Sequence, residues 1–208
     1  MGTVTSLQSH RRNRARRQAA ARPAAVPTTL FFDLASPYTY LAAERAERLF
    51  SGLQWRPACA PALHCADIQS EEAWGAVAAR AELLRLPLVC PQEPWRSSVP
   101  KAMRVASLAA ERGRAAAFVL AASRLAFCGG FELDDPEILA ESAAAAGIGL
   151  RATLDAARDV SRDGPIEDAG RLILAGGADR LPALRVGRML FCGEDRLAEA
   201  AAAARTAV

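Results

Sequence analysis

Ser36 is the side chain best placed to do chemistry. It lies three residues after Asp33, which closes the strand-like run Thr28-Thr29-Leu30-Phe31-Phe32, and directly before Pro37. A hydroxyl followed by proline at the first helical position writes a helix start. Backbone N–H groups and the positive end of the helix converge there, so a hydroxyl at that point is suited to holding an anion. A plain capping role is the alternative for the same residue. The remaining reactive side chains are sparse. Five cysteines (Cys59, Cys65, Cys90, Cys128, Cys192) are scattered and never form a C-x-x-C pair. That pattern argues against a disulfide framework and a zinc site, and for a reducing, cytoplasmic compartment. His10 and His64 are the only histidines. A Ser-His-Asp triad or a multi-histidine metal centre therefore has almost nothing to draw on, and no metal is expected.

The elements that must position Ser36 can be read on either side of it. Tyr40, Leu41, Ala42, Ala43, Ala46, Leu49 and Phe50 follow at helical spacing, and Leu53–Pro57 reads as a second strand. The texture then becomes Ala-rich and helical: 71–86, 98–112, 115–127, a helix opened by Asp134-Asp135-Pro136 and closed at Gly147, then 151–161 and 165–175. Strand character returns at Leu181–Val186. Gly187-Arg188 is a hairpin turn, Met189–Cys192 the partner strand, and an Ala-rich helix ends the chain. The order is β-α-β, a helical block, then α-β-β-α, which is an α/β organisation with an all-helical insertion. The expected division is a basic, disordered arm at 1–27, a discontinuous α/β domain at 28–58 and 176–208, and a helical insertion at 59–175.

With 208 residues the chain can bury a substantial core. The formal net charge is +3. Much of the basic excess sits in His10-Arg11-Arg12-Asn13-Arg14-Ala15-Arg16-Arg17, so the remainder is close to neutral and no nucleic-acid partner is expected. No apolar window is long enough to span a bilayer.

Three motifs carry a resemblance. Phe31-Phe32-Asp33-Leu34-Ala35-Ser36-Pro37-Tyr38-Thr39-Tyr40-Leu41 resembles an F-D-x-x-S-P-Y-x-Y/W-L signature. Leu181-Pro182-Ala183-Leu184 resembles a V-P-T-F-like segment with a cis proline, and Phe191-Cys192-Gly193-Glu194-Asp195-Arg196-Leu197 resembles F-x-G-x-D-R-L. Together they are similar to the DsbA-like branch of the thioredoxin superfamily, and within it to the 2-hydroxychromene-2-carboxylate isomerases and kappa-class glutathione transferases. The resemblance covers about residues 28–204 and implies a thioredoxin-like fold with a large helical insertion.

It also implies a chemistry. Where dithiol oxidoreductases of the superfamily carry C-x-x-C, this chain has Ser36-Pro37-Tyr38-Thr39, and no dithiol cycle can run on hydroxyls. The implied cofactor is glutathione or another low-molecular-weight thiol, with Ser36 stabilising its thiolate. Leu181, before the expected cis Pro182, would pair its backbone with the tripeptide. Glu194 and Asp195 lie where the resembled enzymes bind the γ-glutamyl end. Glu194 departs from the usual Gln or Ser, and its charge would repel a ligand carboxylate. The Asn and Lys usual after the second strand are also missing. Tyr38, His64, Trp95 and Arg96 are candidates for the substrate pocket, Trp95 by stacking and Arg96 by pairing with a carboxylate.

The implied activity is a thiol-dependent isomerase or transferase acting on a small aromatic or conjugated carboxylate. Thiolate addition would give a single bond about which the substrate rotates before elimination. Two other readings stand beside it. One is a DsbA-like oxidoreductase lacking C-x-x-C and using a lone thiol such as Cys65 or Cys192. The other is a non-catalytic thioredoxin-fold binding protein. A homodimer is expected from the resemblance alone.

Overall fold

The computed structural model describes residues 27–63, 70–89 and 98–206. The Arg-rich arm (1–26) and the site candidates His64, Trp95 and Arg96 lie outside the described residues, as do Cys65 and Cys90. Four strands form one sheet: β1 (Thr28–Phe32), β2 (Gln54–Pro57), β3 (Ala183–Val186) and β4 (Met189–Cys192), in the order β2-β1-β3-β4. β2 pairs parallel to β1, while β3 runs antiparallel to both β1 and β4. Every residue of β1 is buried. That is why its Thr-Leu-Phe run shows no polar alternation: it is a central strand covered on both faces.

Eight α-helices accompany the sheet among the described residues: α1 (Pro37–Leu49), α2 (Glu71–Leu84), α3 (Pro100–Glu111), α4 (Ala115–Phe127), α5 (Pro136–Ala145), α6 (Leu150–Arg158), α7 (Asp163–Ala175) and α8 (Leu197–Thr206). One face of the sheet offers Leu30, Phe32, Trp55, Leu184 and Phe191 to a large apolar core shared with α1, α3–α6 and α8. The other face offers Phe31 and Ala183 to a smaller cluster with Ala169 and Ile173 of α7. Gly170 lets α7 lie directly on the chain after β2. A Cβ there would collide with the Cys59 carbonyl, and the Cys59 N–H donates to Ile166 O at 3.2 Å. A third cluster joins Tyr40 and Leu41 of α1, Trp74, Val77 and Ala81 of α2, and Phe127 of α4. It fixes α2 across α1 and so decides which α2 residues overlook Ser36.

The elements follow the sequence pattern with small shifts at their ends. α2 stops at Leu84, two residues short of the proline-based expectation, because Arg85 turns left-handed (φ 56°) and caps it. The final turn of the expected 151–161 helix tightens into a 3₁₀ turn at Val160–Arg162, where Asp159 accepts from the Ser161 N–H. No helix among the described residues is long and apolar enough to cross a membrane.

Candidate active site

The turn from β1 into α1 is set by Asp33. Its Oδ1 accepts the Ala35 N–H at 2.9 Å, and its carbonyl accepts the Ser36 N–H at 3.2 Å. Ser36 then takes the N-cap position of α1 with extended backbone (φ −86°, ψ 122°) and Pro37 behind it. Yet its side chain makes no cap hydrogen bond. Ser36 is 7 % exposed, and its Oγ has no hydrogen-bond partner. Thr39, one turn on, is fully buried and its Oγ1 is likewise unpartnered. These two hydroxyls occupy the first and last positions of the Ser36-Pro37-Tyr38-Thr39 segment.

Beside this helix start lies a cavity of about 330 Å³, lined by Tyr38, Ala76, Arg80, Arg180, Leu181 and the turn Gly193-Glu194-Asp195. Three separate stretches of sequence meet here. The Leu181–Pro182 peptide is cis. The Gly193 N–H donates to Pro182 O at 2.8 Å, tying that loop to the turn before α8. Gly193 is at φ 95° and lies against the Asp195 carboxylate, a position that only a residue without a Cβ can fill. Among the described residues, the Leu181 backbone N–H and C=O have no partner.

The electrostatics differ from the sequence expectation. Glu194 is 3 % exposed and does not present a free carboxylate. Arg45 Nη1 donates to its Oε2 at 2.7 Å, and Arg80 Nε donates to its Oε1. Two guanidiniums thus neutralise the charge that was expected to repel a ligand carboxylate. The bond to Glu194 in turn holds the Arg80 pKa above the ordinary guanidinium range. Arg180, the other cation at the cavity, pairs with Asp179 at 2.9 Å, and that bond lowers the Asp179 pKa. The missing Lys therefore does not leave the cleft without positive charge.

Four of the expected site residues, Tyr38, Leu181, Glu194 and Asp195, converge on this cavity. Ser36 adjoins it two residues before Tyr38 but does not line it, since its Oγ is shut away from solvent. Pro182 is held in the loop behind Leu181. Sequence reasoning missed Arg80, Arg45 and Arg180. Ala76 and Arg80 sit at i, i+4 on α2, which puts them on one helix face. Only the Tyr40–Trp74–Phe127 packing shows which way that face looks.

Residues 29–203 match the DSBA-like thioredoxin domain. The chain belongs to that family. Among solved structures, it superposes on a 2-hydroxychromene-2-carboxylate isomerase with a TM-score of 0.68 at 18 % identity, covering 86 % of this chain and 95 % of that one. It also superposes on the cytosolic disulfide reductase DsbM from Pseudomonas aeruginosa, solved with GSH, with a TM-score of 0.61 at 18 % identity, covering 88 % and 97 %. Identities this low establish the thioredoxin-like fold alone. A search of curated proteins finds no match.

Two thiols among the described residues, Cys59 and Cys192, are poorly placed for redox work. Burial pushes Cys59 up to about 11, with Asp33 adding to the effect. Burial also raises Cys192. A nucleophilic cysteine needs the opposite shift.

Proposed function

We propose that this DSBA-like chain binds glutathione, or another low-molecular-weight thiol, and acts as a thiol-dependent isomerase or transferase on a small aromatic or conjugated carboxylate. The observation that carries this reading is the Ser36 hydroxyl, buried at the start of α1 with no hydrogen bond of its own. An unpaired buried hydroxyl costs free energy that a ligand atom can recover. The role requires a rotation about its Cα–Cβ bond that brings Oγ to the cavity. There it donates to an anionic sulfur in the field of the helix N-terminus.

The other groups fit such a tripeptide. Leu181 offers an open backbone N–H and C=O for strand-like pairing. Arg80 and Arg180 face the carboxylates, and Asp195 accepts from the α-amino group. When bound, the cofactor supplies the nucleophilic sulfur that this chain lacks at its helix start. Tyr38 presents an aromatic wall to a conjugated substrate. Of the two thiols named for the oxidoreductase alternative, Cys65 lies outside the described residues and burial raises the Cys192 pKa, away from a thiolate. A cytoplasmic location goes with a cofactor of this kind.

Titration of the bound thiol tests the proposal. Wild-type protein is expected to bind glutathione and lower its thiol pKa, read from thiolate ultraviolet absorbance. Ser36→Ala is expected to lose that shift and to lower turnover of a conjugated keto acid by about 10²-fold. An unchanged thiol pKa in Ser36→Ala would remove the role assigned to Ser36.

A further inference from the structure

The opposite end of the same sheet carries a second site. On this face of the sheet Phe31 and Ala183 pack against Ala169 and Ile173 of α7. The preceding row is Thr29, paired with Gln54 on one side and Arg185 on the other. A cavity of about 580 Å³ runs round the β2 edge here, lined by Thr29, Gln54, Arg56 and Arg185 on this face and by Glu47, Trp55 and the small residues of the α3–α4 turn on the other. Thr29 and Gln54 lie at the starts of β1 and β2, whereas Ser36 follows the far end of β1.

The cavity wall is rich in donors. The Arg56 guanidinium lies 6.0 Å from the centroid of the Phe31 ring, and that of Arg185 lies 5.5 Å from the same ring. Each gains from the ring's negative face. Among the described residues neither has a carboxylate partner, unlike Arg45, Arg80, Arg104 and Arg124. Gln54 adds an amide, and Thr29 donates weakly to its Oε1 at 3.5 Å. Glu47 is the one acid in the wall.

We infer that this cavity binds a small, multiply charged anion bridging Arg56 and Arg185. Two like charges gathered at one ring repel each other, and an anion between them removes that repulsion while accepting from both forks. Contact with the Phe31 ring restrains both guanidiniums in part before binding. The site does not depend on the thiol reading of the Ser36 cleft.

The test is calorimetric titration of the full chain with inorganic pyrophosphate at physiological ionic strength, with succinate as a second titrant. Both are repeated on the Arg56→Ala/Arg185→Ala variant, with thermal melting to check folding. Saturable binding that weakens roughly tenfold or more in the variant supports the site. Tighter pyrophosphate then identifies a phosphate-bearing ligand, and tighter succinate a dicarboxylate. If the double variant does not fold, Arg56→Ala alone, at an exposed position, is expected to show a smaller loss in the same direction. Equal affinity in wild type and variant overturns the inference, because binding then resides elsewhere, the Arg-rich residues 11–17 included. Absence of saturable binding with both titrants overturns it too.

Discussion

The two walls of the Ser36 cleft treat buried polar groups in opposite ways. On the α8 side, the Glu194 carboxylate is spent: both oxygens are engaged by arginines from α1 and α2. On the α1 side, the Ser36 and Thr39 hydroxyls are buried and unspent. Elsewhere the chain satisfies some such groups and leaves others, Ser123 among them, without a partner. Ser142 donates to Ile138 O at 2.8 Å and Thr153 to Gly149 O at 3.1 Å. At the start of α2, Ser70 holds the N-cap position that Ser36 holds in α1, and there the side chain accepts the Ala73 N–H at 3.2 Å. On the proposed function, the contrast separates groups that hold the cleft's shape from groups open to a ligand.

The largest expected effect lies on the spent wall. Glu194→Ala leaves Arg45 and Arg80 facing each other without their shared acid, and the Arg45 side chain is only 19 % exposed. Removing one partner of a buried pair is costly, and about 3 kcal/mol is expected here, the lower end of the range, because Arg80 can turn toward water. Denaturant unfolding measures it. A loss below about 1 kcal/mol, the scale of an exposed pair, would show that the clamp is not structural and would erase the contrast.

A smaller and opposite pair of effects belongs to the two capping serines. Ser70→Ala is expected to cost about 1 kcal/mol of stability, the usual loss of an N-cap, with no change in thiol binding. Ser36→Ala loses no cap bond, so its melting temperature is expected to stay within a degree or so of wild type while its thiol binding falls. Should Ser36→Ala destabilise as much as Ser70→Ala, Ser36 would be an ordinary cap in solution.

That distinction shows where the sequence stopped being readable. The helix start at Ser36-Pro37, the hairpin at Gly187-Arg188 and the left-handed Gly193 turn are local chemistry, written in neighbouring residues. The family resemblance carried by the three motifs, and no local signal, brought Leu181, Glu194 and Asp195 to one site. Whether Ser36 caps its own helix depends on a side-chain torsion chosen by tertiary packing, and no spacing encodes it. The Arg45–Glu194–Arg80 clamp joins residues up to 149 positions apart, and the expectation that Glu194 repels an anion failed for want of its partners. Arg56 and Arg185 lie far apart in sequence, and only the sheet register brings both to Phe31.

Thr39 offers the finest test of the contrast. Its hydroxyl is fully buried one turn into α1 and has no partner. Valine has nearly the same shape, so Thr39→Val removes an unpaired polar group without opening a cavity. A gain of up to about 1 kcal/mol is expected from denaturant unfolding, since a desolvated hydroxyl without a bond is a net cost. Ser123 on α4, also buried and unpartnered, is the reference, and Ser123→Ala is expected to move stability in the same direction. The two should then part on addition of glutathione. A hydroxyl under the thiol site changes its affinity when removed, whereas one in the α4 core does not. Destabilisation by Thr39→Val in the free protein would mean that the hydroxyl is already satisfied, and Ser36 would then stand alone as the unspent group of the cleft.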